Sequence, residues 1–194
     1  MTSQNKSLLH WNYFLALESD LENLSRYIEF SQSNFSVYSI ELAHLLIASS
    51  SEVDVLAKAI CEYVDPKTKA KNIDDYRTII TGHLPEFSQE KVFIPRYSID
   101  FNPWSDWVNG QNPTWWQGYN NVKHHRNVHF EDANLQHVLN SMGALLISAI
   151  YFYKLKFSVG APSYLHNKEV TYRLAPEADF LRLSEDYYHQ HLVA

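Results

Sequence analysis

The longest uncharged run in the sequence, from Ala133 to Tyr153, restricts the possible folds more than any other feature. It is long enough to span a bilayer, which takes roughly 20 residues. Its first half, "ANLQHVLN", is too polar for that role, so we expect a buried helix at the centre of the fold and no membrane partner. The apolar side chains recur at helical spacing, at Leu135, Leu139, Met142, Leu145, Leu146, Ala149, Ile150 and Tyr153.

Four more helices are expected in the first 83 residues. An apolar stripe from Phe14 to Ile28 predicts a helix that runs to about Phe30, and "VYSIELAHLLIAS" predicts the second. Ser51 with Asp54 resembles a capping box, which predicts that a third helix begins there and continues to Pro66. Asn72 is the expected N-cap of the fourth helix, and Gly82 is expected just past its end.

The segment from Leu84 to Thr114 has a different character. Four prolines and the turn-forming pairs "NP" and "NG" predict a long irregular excursion over residues 84–114. Within it, the alternation in "RYSIDF" indicates a short hairpin. Loops of this length commonly carry function or act as lids.

Two further caps are predicted after the excursion. Thr114 and Gln117 resemble a second capping box, so a helix is expected from about Trp115, and Asp132 is the expected cap of the long apolar helix. The predicted fold is all-α, a bundle of five or six helices over residues 1–157. Residues 158–194 are expected to form a C-terminal arm packed on the same domain, with room for a short helix after Pro176.

The composition bears on the partners and the cellular location that we expect for this protein. The net charge of −6 argues against duplex DNA as a partner, although a local basic groove remains compatible with it. The single cysteine, Cys61, excludes an internal disulfide, and the amino terminus lacks the features of a signal peptide, so we expect a cytoplasmic protein. The abundance of aromatic residues favours a homodimer, although aromatic side chains also fill cores.

The stretch "WWQGYNNVKHHRNVHFED", Trp115 to Asp132, holds the candidate site. His124 lies next to like charge, which favours the neutral imidazole and a role as a base. Lys123 and Arg126 are candidates for electrostatic support. The ligand-binding candidates are Trp116, Tyr119, Asn120 and Asn121, whose side chains offer stacking surface, donors and acceptors.

Other chemistries find little support in the sequence. His125 and His129 are four residues apart, but without an "HExxH" pattern we predict no metal site. The five glycines form no phosphate-binding loop and no nucleophile elbow occurs, so no cofactor is expected. Asp54 and Lys58 have the spacing of a local ion pair. Arg26, Glu29 and Glu41 are candidates for salt bridges, or for the site if they surround His124.

The segment "YNNVKH", Tyr119 to His124, resembles the motif of HEPN domains (higher eukaryotes and prokaryotes nucleotide-binding). That motif has an arginine, a polar residue and then a histidine, followed by a long apolar helix. Asn120 and His124 match it, whereas Tyr119 stands in place of the arginine. The resemblance implies metal-independent RNA cleavage by dimers in toxin–antitoxin or phage-defence systems, with inactive members that only bind.

Three readings follow. The first is a catalytically degenerate module that binds RNA, a nucleotide or a protein partner. The second is an active ribonuclease in which His124 acts as acid or base, supported by Lys123 or Arg126. The third is a purely structural protein in which "YNNVKHHR" is a satisfied polar network.

Overall fold

The computed structural model describes residues 7–161 and 163–183. Within these residues the chain forms seven α-helices and one two-stranded sheet, which confirms the predicted all-α class. The helices are α1 (Leu9–Leu24), α2 (Ile40–Val64), α3 (Ile73–His83), α4 (Ser105–Val108), α5 (Thr114–His125), α6 (Leu135–Phe157) and α7 (Asn167–Arg173); the strands are β1 (Val92–Ile94) and β2 (Ile99–Phe101).

The centre of the fold is the pair formed by α2 and α6, which share the most extensive helix–helix contact. By length and composition α6 could cross a membrane, but 94% of its most apolar window is buried inside the fold. The predicted central core helix is therefore confirmed. Helices α1, α5 and α7 pack on α6, and α3 packs on α2.

Helix α2 is one continuous helix where the sequence predicted two. Ser39 caps it, with its hydroxyl accepting the Leu42 N–H at 3.1 Å. Ser49 is accommodated in mid-helix because its hydroxyl donates to the Leu45 carbonyl and pairs with the Ser141 hydroxyl of α6, each at 2.7 Å. The predicted capping box at Ser51 is therefore wrong, since Ser51 lies inside the helix.

The other predicted helix ends are confirmed only in part. Asn72 caps α3 as expected, accepting two backbone N–H groups at 3.0 Å, but α3 continues through Gly82. Helix α1 ends at Leu24, six residues before the predicted end. Helix α5 begins at Thr114 without a side-chain cap, so the second capping box is not formed.

The excursion contains the predicted hairpin. Strands β1 and β2 pair antiparallel, with Val92 opposite Phe101, and Ser98 adopts a left-handed conformation in the turn between them. Phe101 packs on α6 at Gly143, where a Cβ atom would lie 2.6 Å from the ring. The Trp104 and Trp107 rings, 4.1 Å apart, are buried, so much of this segment packs into the core.

Residues 163–183 lie against α1, α6 and β1. Helix α7 contacts α6, and the Trp11 indole donates to the Pro176 carbonyl at 2.9 Å. Phe93 and Arg182 exchange both backbone hydrogen bonds, at 2.7 and 2.9 Å. The short helix of this region precedes Pro176, and residues 177–183 form none. Residues 184–194 of the predicted arm are outside the described residues.

Candidate anion-binding groove

The last turn of α5 carries consecutive basic or titratable side chains from Lys123 to His125, and Arg126 follows as its C-cap. All four are exposed. Cations are stabilised at a helix C-terminus by the partial negative charge of the free carbonyl groups. The electrostatics of the helix end thus explains why these cations are stable there. It does not explain which surface their side chains line.

Three of these side chains lie on a surface groove of about 860 Å³ between the end of α5 and the start of α2, here called the basic groove. Its lining is partly apolar and partly polar. The apolar side chains are Ile40, Ile47, Val122 and Phe130, and the polar side chains are His44, Lys123, His124, Arg126 and Asn127.

Within residues 7–161 and 163–183, no acidic side chain lines the basic groove, although the protein as a whole has a net charge of −6. Among the described residues, neither Lys123 nor Arg126 lies within ion-pair distance of a carboxylate. Lys123 instead donates to the Tyr119 hydroxyl at 3.1 Å, with its ammonium group 5.2 Å from the ring centroid. Two unpaired cations at one groove favour an anionic ligand.

The three residues predicted to carry chemistry, His124, Lys123 and Arg126, are thus brought together at one groove. His44 was missed by sequence reasoning. It is exposed on α2, far from the motif in the chain, and its Nδ1 lies 3.6 Å from a Glu41 carboxylate oxygen. No local sequence signal marks it, because only the packing of α2 against α5 places it on the groove that His124 also lines.

The four predicted ligand-binding residues do not line the basic groove. Trp116 and Tyr119 are buried, with their ring centroids 5.3 Å apart. The Asn120 amide donates to the Trp116 carbonyl at 3.0 Å, and the Asn121 amide donates to the Asp132 carboxylate at 2.8 Å. The two aromatic side chains therefore belong to the core, and both amide groups already have acceptors within the protein.

Helix α5 is unbroken across the segment from Tyr119 to His124. Residues five apart on a regular helix point about 140° from each other. Accordingly Tyr119 faces inward, whereas His124 faces the basic groove. The position that holds arginine in the HEPN motif therefore does not share a site with His124 within one chain.

Helices α5 and α6 approach closely at Gly118. A Cβ atom on Gly118 would lie 2.4 Å from the His137 Nδ1 atom, so only glycine fits there without displacing the ring. The Nδ1 atom of His137 forms a hydrogen bond with the backbone carbonyl of Asp132 at 2.8 Å. Asn134, rather than the predicted Asp132, caps α6 by accepting the His137 N–H at 2.9 Å.

The other candidate polar residues have local roles. Asp54 accepts a hydrogen bond from Lys58, as predicted, and another from the Tyr76 hydroxyl at 2.9 Å. Burial raises the pKa of the Cys61 thiol to about 12, so this side chain is a poor nucleophile. Arg26, Glu29 and Glu41 are exposed and do not line the basic groove.

The histidine pair His125 and His129 forms no larger set of metal-ligating side chains. Across residues 7–161 and 163–183, no group of three or more His, Cys, Asp or Glu side chains is placed to hold a metal ion.

Comparison with known proteins gave no match to a family model, a curated protein or a solved structure.

Proposed function

We propose that this chain is a HEPN-like helical module that binds single-stranded RNA along the basic groove. The observation that carries the proposal is that Lys123, His124, Arg126 and His44 line one groove in an acidic protein, and that no acidic side chain of the described part of the chain lines it. Phosphate groups supply the charge that such a groove lacks, and phosphate contacts provide most of the affinity in sequence-independent binding.

The aromatic side chain in the groove lining favours single strands over duplexes. Phe130 is half-buried, and its ring makes an edge contact with Tyr38 at 5.4 Å. Aromatic faces stack on unpaired bases, and this stacking combined with a basic rim is typical of single-strand binding. The preference for RNA over DNA rests on the resemblance of Tyr119–His124 to the HEPN motif. In this proposal, Arg126 supplies the guanidinium group that the motif lacks at Tyr119.

The proposal is tested by the salt dependence of binding. Labelled single-stranded RNA is titrated with the protein at several salt concentrations and followed by fluorescence anisotropy. For a single strand, each neutralised phosphate contributes about 0.7 to the slope of log affinity against log salt. We expect Lys123→Ala to lower the affinity and to reduce the slope by about 0.7, because one phosphate contact is lost.

Lys91→Ala is the matched control. Lys91 is also exposed, pairs with Asp100 at 3.1 Å on the hairpin, and does not line the basic groove. Its replacement changes the net charge by the same amount and should leave the slope as in the unmodified protein. Absence of saturable binding, or equal slopes for the two variants, would refute the proposal.

A further inference from the structure

A surface cavity of about 450 Å³ lies between α6, the start of α7 and residues 85–89, and it is here called the α6–α7 cavity. The described side chains that line it are all polar or charged, namely Glu86, Lys154, His166, Asn167 and Lys168. None of these residues lines the basic groove. A cavity of this size accommodates a small molecule, which polar side chains of both charge signs would orient.

Lys154 is a buried cation with few hydrogen-bond partners. The residue is 9% exposed, and its Nζ atom lies 4.7 Å from the Tyr151 ring centroid. Across residues 7–161 and 163–183, its one acceptor is the Glu86 carboxylate, at 3.3 Å. An ammonium group has three N–H donors, and a buried charge is stable only when it is well paired. Lys154 therefore has donors left for a further acceptor.

Asn167 offers an acceptor without a partner. Its amide nitrogen donates at 2.8 Å to the Glu90 carboxylate, which also accepts the Tyr151 hydroxyl at 2.7 Å. Because an ionised carboxylate only accepts, this contact fixes which end of the amide faces Glu90. The amide oxygen is buried, and no described residue donates to it. A buried acceptor of this kind indicates a donor from outside the protein.

From these two groups we infer that the α6–α7 cavity binds a small zwitterion, a free α-amino acid, at the contact between Lys154 and Glu86. The carboxylate of the ligand accepts hydrogen bonds from the Lys154 ammonium group. The ammonium group of the ligand donates to the Glu86 carboxylate and to the Asn167 amide oxygen. Each charged group of the cavity then has a partner of opposite charge.

The charges at the cavity favour a zwitterion over a simple ion. A simple anion would be repelled by Glu86, and a simple cation would leave Lys154 without a further acceptor. The Glu86 side chain is 47% exposed. An ion pair with such an exposed partner contributes little stability, so Glu86 can turn from Lys154 to the ligand.

The test titrates the full chain with the standard L-amino acids, one at a time, by isothermal titration calorimetry. At least one of them should bind saturably. Acetate and methylammonium should each bind at least about tenfold more weakly, because each engages only one half of the site. The N-trimethylated form of the bound amino acid should be weakened to a similar degree, because it has no N–H group to donate to Asn167.

Two substitutions remove the opposite halves of the site. Lys154→Met keeps the unbranched stem beside Tyr151 and removes the charge, whereas Glu86→Gln removes the counter-charge of the ligand ammonium group. Each should raise the Kd about tenfold or more, as expected for the loss of a hydrogen bond to a charged group. Glu86 is exposed, so Glu86→Gln should fold even if Lys154→Met does not.

Each variant has a matched control. Lys156 lies on the same helix as Lys154, with its Nζ atom 5.5 Å from the Phe152 ring centroid, and does not line the cavity. Glu29 is exposed and does not line the cavity. Lys156→Met and Glu29→Gln should leave the Kd unchanged.

The outcomes decide between the possible ligands. An affinity for acetate equal to that for the amino acid would reveal an anion site and overturn the zwitterion. Absence of binding by every amino acid, or binding unchanged in Glu86→Gln, would overturn the site itself. Because the α6–α7 cavity and the basic groove share no lining residue, either proposal can fail without the other.

Discussion

Glu18 is a residue of α1 whose carboxyl group is buried against residues 163–183. Its side chain accepts backbone N–H groups of Phe180 and Leu181, at 3.3 and 2.8 Å, and the residue is only 6% exposed. Burial raises the pKa of Glu18 from 4.5 to about 7, and the two N–H donors oppose this rise. Glu18, which connects α1 to residues 163–183 by hydrogen bonds, therefore titrates near neutral pH.

This pKa predicts that stability falls as the pH rises. Between pH 4.5 and 7 the folded chain keeps a proton on Glu18 that the unfolded chain has lost. From about pH 4 to about pH 8, this group should lower the free energy of unfolding by about 3 kcal/mol. In Glu18→Gln that component should vanish, because the amide stays neutral while its oxygen still accepts the two N–H groups.

Urea unfolding at a series of pH values measures the effect. Glu22→Gln provides the control, because Glu22 is an exposed carboxylate on the same helix, 3.5 Å from Arg96. If Glu18→Gln showed the same pH dependence as the unmodified chain, Glu18 would not be the titrating group.

The residues of the candidate site could be predicted only in part from the sequence. Lys123, His124 and Arg126 are neighbours in the chain, so the sequence could group them. His44 is distant in the chain and carries no local motif, and its place on the same groove as His124 depends on how α2 packs against α5. Conversely, Trp116 and Tyr119 looked like binding residues in the sequence because composition does not distinguish a stacking surface from a buried aromatic contact.

At the scale of helices, the contact between α5 and α6 depends on Gly118. We expect Gly118→Ala to destabilise the protein by about 1–3 kcal/mol, because the new methyl group must displace the His137 ring from its bond to Asp132. Thermal or urea unfolding measures this loss.

Gly82→Ala is the opposite case and serves as the control. Gly82 lies within α3, and nothing is within 4 Å of a Cβ atom built there. Alanine should therefore stabilise the helix by about 0.5–1 kcal/mol. Equal effects of the two substitutions would show that the close approach at Gly118 does not govern this interface.

The helices themselves were largely predictable, whereas several of their ends were not. Apolar periodicity reports which face of a segment is buried, and it located α1, α2 and α6, whereas α3 was located by its Asn72 cap. Capping patterns are less specific, since a serine followed by an acidic residue three positions later also occurs inside a helix, as at Ser51 in α2. The α2–α6 interface keeps that helix continuous by pairing Ser49 with Ser141.

For the whole molecule, the tryptophans belong to the core, whereas six tyrosines of the described residues are exposed. All five tryptophans are buried, with the most exposed, Trp116, at 7%. The expectation of a homodimer therefore loses part of its support and stays a prediction. Exposed apolar surface remains at Tyr27 and at Ile40, which are 82% and 62% exposed, and sedimentation velocity would test whether a second chain covers them.

The segment 163–183 contributes to the same core as the bundle. Glu90 of the excursion accepts hydrogen bonds from the Tyr151 hydroxyl of α6 at 2.7 Å and from the Asn167 amide of α7 at 2.8 Å. Leu181 is fully buried, as is Leu146 at the centre of α6. These contacts predict one cooperative unit rather than a bundle with a separable arm.

Leu181→Ala tests this prediction. If the segment belongs to the cooperative core, the substitution should lower the global free energy of unfolding by about 2–5 kcal/mol, as should Leu146→Ala, because each leaves a cavity in a close-packed interior. Leu9→Ala, at a position that is 68% exposed, should have little effect. Tryptophan fluorescence and far-ultraviolet circular dichroism should then report coincident transitions. An early, separate transition in Leu181→Ala, with the main one unmoved, would mean that the segment detaches while the bundle stays folded.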